Sequence, residues 1–240
     1  MSLLTIVQGA AVRCNLAQPN AAFSSTDPQI QQIIAFAQDT GRELMERGGW
    51  RNLKFETSIV GDGSKTLFSL PSDFKRLCPS DKPQQSPFVS MQRPSIPIRG
   101  PVNDEWLNAA KALPVFPAFP VWRLVGTYLE MWPAVPSAEE IKFWYFSKSW
   151  LAAAGVTTNR IAAWASDSDT SLIEEDTIMK GAIWRYKKAK GLDYAEEFRE
   201  YELSFVRNLG QEGTGRVVQT ASMFNWPPDF WPGMITAPTP

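Results

Sequence analysis

Histidine is missing altogether from these 240 residues. With it go the usual general base near neutral pH, the Ser-His and Cys-His nucleophile pairs, and most zinc and iron sites. Cysteine is nearly missing too. Cys14 and Cys78 stand far apart among apolar neighbours, which excludes a zinc cluster and a disulfide framework and marks both as small packed hydrophobes. There is no excess of either charge: Lys+Arg 24 against Asp+Glu 25 gives a net charge of -1, not that of a protein whose affinity comes from neutralising phosphates. Long apolar runs are also lacking. The opening MSLLTIVQGAAVRCNLAQPN has no basic start and meets Arg13 early, so it is expected to be neither a signal peptide nor a membrane anchor.

What is present suits a globular chain able to bury a sizeable core: 44% hydrophobic and 20% charged residues. Leu3, Val7, Ala10 and Cys14 recur at helical spacing, with Pro19 and Asn20 beyond them. A longer helix is predicted from Asp27, which can cap, through Pro28 in the first helical position, to Gly48 and Gly49. Its stripe is Ile30, Ile33, Ile34, Ala37, Gly41, Leu44 and Met45. From Leu53 the period changes to alternation. LKFETSIV and KTLFSL flank Asp62-Gly63 and predict a β-hairpin, and VWRLV, YLEMW and IKFWYFSKSW predict a meander. In the Pro-rich stretch between them, VNDEWLNAAKAL is read as a short helix.

Helical spacing returns after SDSDT. Asp169 or Thr170 is expected to cap a helix over Leu172–Lys190, closed by Gly191. Asp193 and Glu196 then form a capping-box variant, and Tyr194, Phe198, Tyr201, Phe205 and Leu209 make a second stripe. This predicts an αα-hairpin whose stripes, Phe198 included, pack on the helix after Asp27. The fold class is therefore α+β: a helical bundle from residues 1–52 and 151–212, an inserted antiparallel β unit at 53–150, and an extended tail at 213–240.

Chemistry is sparse. Glu174, Glu175 and Asp176, and Glu196, Glu197, Glu200 and Glu202, are the densest carboxylates. They fit helix starts and solvated faces better than paired catalytic acids, which leaves a carboxylate hydrolase as the weakest reading and predicts no enzyme, no cofactor and no metal. GDGSK is not a phosphate loop, because strands flank it on both sides. Lys180, Arg185, Lys187, Lys188 and Lys190 crowd the end of one helix, where cations meet carbonyls; lining a DNA passage is the sharper alternative. Ten tryptophans point to core and interface anchors, or to a carbohydrate-binding module built on the aromatic β unit. The tail places Phe224, Trp226, Phe230, Trp231 and Met234 among prolines that block helix and central strand, so these side chains need a partner surface.

Three stretches carry a resemblance. ELMERGGWRNLKFETSIVGDGSKTLFSLPSDFKRL, WRLVGTYLEMWPAVPSAEEIKFWYFSKSW and LIEEDTIMKGAIWRYKKAKGLDYAEEFREYE together resemble the head-to-tail adaptor (connector) proteins of short-tailed bacteriophages and related particles. The features are the Gly-Trp at the helix end, Leu-Pro-x-Asp-Phe after the hairpin, and Trp-Arg-x-Lys-x-Ala-x-Gly-Leu-Asp-Tyr-Ala at the helix junction. The resemblance implies a structural virion protein at the head–tail junction, made in the host bacterial cytoplasm. It implies a ring, commonly of twelve copies, that encloses the DNA passage beneath the portal protein and meets a downstream tail or nozzle protein. The C-terminal arm of such proteins climbs along the portal, which would make Phe224, Trp226, Phe230, Trp231 and Met234 docking residues.

Overall fold

The structure is a computed structural model, and it describes residues 2–79, 86–112, 117–154 and 160–212. These form a mixed α+β fold. The helices are α1 (Leu3–Arg13), α2 (Pro28–Arg47), α3 (Asp104–Ala112), α4 (Glu175–Ala189) and α5 (Ala195–Glu212). The longer strands are β1 (Lys54–Val60), β2 (Leu67–Ser69), β3 (Phe74–Leu77), β4 (Phe88–Ser90), β5 (Val121–Val125), β6 (Tyr128–Trp132) and β7 (Glu140–Ser147). Three two-residue strands follow, β8 (Leu151–Ala152), β9 (Arg160–Ile161) and β10 (Thr170–Ser171).

α2 starts as its sequence demands, with the Asp27 carboxylate accepting from the Gln29 amide at 2.8 Å and Pro28 in the first turn. At its other end the Gly-Trp pair is a local clasp: the Trp50 indole donates to the Leu44 carbonyl at 2.6 Å, and the ring is fully buried. α1 borrows its start from far along the chain. The amides of Leu3 and Leu4, two of the donors a first turn cannot satisfy, go to the carbonyls of Asp169 and Asp167 at 3.0 and 3.1 Å.

α4 packs against α1, α2 and α5. Small residues set those distances. A Cβ on Gly181 would lie 2.1 Å from Thr40 Cγ2 of α2, and one on Gly41 would lie 2.2 Å from Trp150 Cη2, so both positions admit only glycine at this spacing. Ile6, Ile33, Leu44, Trp50, Trp150, Ile178, Ala182, Tyr186, Tyr201 and Phe205 are buried in the resulting core. One hydroxyl group of contacts crosses it, with Thr177 Oγ1 2.8 Å from Ser204 Oγ and 2.7 Å from the donating Asn208 amide.

Three sequence expectations fail here. α4 begins at Glu175, and neither Asp169 nor Thr170 caps it. The Asp169 carboxylate is taken by the amides of Ala154, Ala165 and Ser166, while Thr170 pairs with Ala152. No capping box opens α5: Asp193 accepts from the Ala195 amide, and Glu196 turns forward to Arg199, whose full charge outbids a backbone amide. Phe198 is not core. It is 41% exposed, because the ring it meets, Trp184 at 5.2 Å, is itself only half-buried; the stripe is buried at Tyr201 and Phe205, with Leu209 partly buried beyond them.

The strand region also departs from its prediction. β1 does not pair with β2. It pairs with β7 over seven positions, from Lys54 opposite Phe146 to Val60 opposite Glu140, whereas β2 joins β6. The Asp62 turn is real, its carboxylate accepting from the Ser64 and Lys65 amides, but a second loop captures it. Gly61 exchanges hydrogen bonds with Glu139 and Ala138, and the Gly63 amide donates to the Val135 carbonyl, which steers the two strands into different sheets. The meander is likewise divided: β5 and β6 make the expected hairpin at Gly126-Thr127, and β7 leaves to pair with β1, β3 and β4. Along β7, Ile141, Phe143, Tyr145 and Ser147 are buried in alternation, with Trp144 exposed on the other face. Phe68, Phe88, Ile98, Trp122, Leu129 and Met131 complete this second core.

Candidate functional site

The helix junction is the part of the molecule whose exposed residues are least explained by folding. Gly191 adopts a φ of +69° just past α4, and the Leu192 amide returns to the Lys187 carbonyl at 3.0 Å, so the chain doubles back within a few residues. That turn leaves Leu192 54% and Tyr194 37% exposed. Trp184 lies against Tyr194 as the centre of an aromatic ledge, with the rings of Phe198, Tyr201 and Tyr194 at 5.2, 6.2 and 6.3 Å. The Lys188 ammonium stands 5.7 Å from the Trp184 ring and 5.9 Å from that of Tyr194.

Below the ledge, charges tie three helices together. Arg47 grips the Glu202 carboxylate with two hydrogen bonds of 2.7 and 2.8 Å and also reaches Glu43 at 3.0 Å. Arg185 pairs with the same Glu43, and the Tyr201 hydroxyl donates to it at 3.3 Å. The hydrogen bonds from Arg47 hold the Glu202 carboxyl below its ordinary range. Burial first, and the nearby Glu43 charge second, push the Tyr201 phenol up.

The predicted basic set is thus split. Lys180 pairs with Asp176 at 2.6 Å, Lys187 with Glu197, and Arg185 with Glu43. Lys188 and Lys190 are exposed and lie over rings, Lys190 at 5.2 Å from Tyr186. Asp176, Glu197 and Glu200 of the carboxylate sets meet at a concave surface. A hollow of about 510 Å³ is lined by Arg13, Asp176, Lys180, Ile183, Glu197 and Glu200, from α1, α4 and α5. Two of its acids are already held by lysines, which makes it a mixed-charge surface.

A smaller cavity of about 160 Å³ lies in the strand region, with Ile98, Pro120, Met131, Val135 and Ile141 in its wall and Glu139 at its edge. Glu139 is buried and accepts from Ser90 at 2.5 Å and from Arg93 at 3.1 Å. Glu130 is the other buried strand-side acid, held by Lys111 and Arg123, and this pins α3 to β5 and β6. Sequence reasoning missed both, since nothing local distinguishes them from surface acids. It also missed the role of Asp73 in the Leu-Pro-x-Asp-Phe stretch: its carboxylate accepts from Tyr145 at 2.9 Å, Ser147 at 2.8 Å and Arg160 at 3.4 Å, joining β3, β7 and β9.

Of the strand-region tryptophans, Trp122 is inside, and Trp106 and Trp144 are exposed on α3 and β7 respectively. Burial pushes the Cys14 and Cys78 thiols up, and both are free. Among the described residues no group of three or more Cys, Asp or Glu could hold a metal ion, and no helix is long and apolar enough to cross a membrane. Phe224, Trp226, Phe230, Trp231 and Met234 lie outside the described residues. No known protein family matches the chain, and no curated protein does.

Proposed function

We propose that this chain is a head-to-tail adaptor: a non-enzymatic virion protein that forms a ring between the portal and the downstream tail or nozzle protein and encloses the DNA passage. The observation that carries this reading is the fate of the three motif sites. Trp50 and Asp73 are fixed in internal contacts and Trp184 packs on the helical core, whereas Leu192 and Tyr194 of the junction motif remain exposed as apolar surface the core does not use. Such a surface fits contact with another subunit.

On this reading α1, α2, α4 and α5 act as a helical bundle, α4 and α5 as its αα-hairpin, and the strand region as an insertion. The tail is an extended arm whose Phe224, Trp226, Phe230, Trp231 and Met234 dock on the portal. Lys188 and Lys190, the members of the basic set with no carboxylate partner among the described residues, are best suited to face packaged DNA. Twelve copies and a place at the head–tail junction come with the resemblance.

The test is negative-stain imaging of the purified protein added to portal-containing heads that lack it. A ring of added density under the portal is expected. It should be lost on changing Leu192 and Tyr194 to Glu, with the thermal transition kept. Heads left bare by the unaltered protein would overturn the proposal.

A further inference from the structure

The ledge is apolar, open to solvent and topped by a cation, and the same chain contains a segment of complementary chemistry. Trp226-Pro-Pro-Asp-Phe-Trp-Pro232 combines two adjacent prolines, three aromatics and a single acid, Asp229. Proline-rich segments dock on aromatic surfaces because their extended helix is pre-ordered and their rings lie flat on aromatic faces. Lys188 has no carboxylate partner among the described residues, although other cations of this helix do.

We propose that the ledge of Trp184, Leu192, Tyr194 and Phe198 is the resting site of the chain's own segment Trp226–Pro232, with Asp229 facing Lys188.

Reach allows it. Phe198 lies about 21 Å back along α5 from Glu212 at the helical rise, and the 14 residues from Glu212 to Trp226 span up to about 46 Å when extended. Leu203 and Val206, 55% and 62% exposed, add further apolar surface on α5 between its end and Phe198. Tethering favours the contact within one chain, because the segment is presented to the ledge at roughly millimolar effective concentration. Pro227, Pro228 and Pro232 restrict the free segment and so reduce the entropy lost on docking. The ledge would then compete with any outside surface for the tail, and in the free chain it would be covered rather than sticky.

Two measurements on the full-length free protein test this without heads or portal, so neither can fail merely because the adaptor reading fails. The first joins Leu192→Cys with Asp229→Cys under mild oxidation. A disulfide within one chain, mapped from the monomer band, is expected; a disulfide found only between chains, or none, overturns the proposal. The second is hydroxyl-radical footprinting. Labelling of Tyr194 and Phe198 should rise several-fold when Trp226, Phe230 and Trp231 are all replaced by Ser, while labelling of exposed Phe23 stays constant. Equal labelling of the ledge in both proteins overturns it.

Discussion

Around α1, α2, α4 and α5 the buried side chains are nearly all apolar, and glycines set how closely the elements approach. Around β7 the buried set includes Glu130 and Glu139, each held by long cationic side chains, and Asp73 gathers three donors near the end of β7. Apart from the Arg47, Glu43, Arg185 and Glu202 charges nearer its surface, the helical core is held by shape, whereas the strand side puts its fasteners inside. The two fail differently. Shape is lost in proportion to the volume removed, whereas a fastener is lost when one partner changes charge or disappears.

The sharpest way to break the helical side is Trp150→Ala. This fully buried ring lies on Gly41 and meets Trp164 edge-on at 5.3 Å, so its removal should cost about 3–5 kcal/mol in urea unfolding. A smaller loss would mean that the core collapses around the gap and is not held by shape.

On the strand side, Tyr145→Phe deletes one fastener and little volume. The Tyr145 hydroxyl donates to a carboxylate, and losing it should cost about 1.5–3 kcal/mol. Burial first, and the Asp73 contact second, push the Tyr145 phenol up to about 12 from an ordinary 10.0. A folded-state value above the unfolded one means that this stability is whole below about pH 10 and drains away as pH rises towards 12. Urea midpoints measured across that window should fall with pH, and less steeply in Tyr145→Phe.

The least effect belongs to Phe198→Ala. At 41% exposed the ring contributes mainly its edge contact with Trp184, so the cost should be below about 1 kcal/mol by the same measurement. A cost near that of Trp150→Ala would put Phe198 back in the core and blur the line between the two regions.

The same contrast governs what could be read before the fold was seen. α2 was legible because cap, proline and stripe lie within 20 residues of one another. Strand identities were legible too, from alternation. Their partners were not: β1 meets β7 instead of its neighbour because the loop around Val135–Glu139 captures the Asp62 turn, a contact between segments more than 70 residues apart. Phe198 was misjudged for a related reason, since a stripe tells which side of a helix is apolar but not how far along it a partner helix extends. The junction motif was legible as a resemblance. That its Trp, Leu and Tyr would form one exposed ledge needed the left-handed turn at Gly191.

The pairing of β1 with β7 also has a meaning in time. Some 80 residues separate Val60 from Glu140, so at roughly 5–20 residues per second a ribosome makes β1 wait between about 4 and 16 s for its partner. α1 and α2 wait longer still for α4, the helix they both pack on. During that interval β1 is a lone strand without its partner, and its sequence suits the exposure: Lys54, Glu56 and Ser58 alternate along it, placing a charge or hydroxyl at every second position where a stray strand would otherwise add itself. The chain is thus built to be finished before it folds, and its earliest-made strand carries its own protection while it waits.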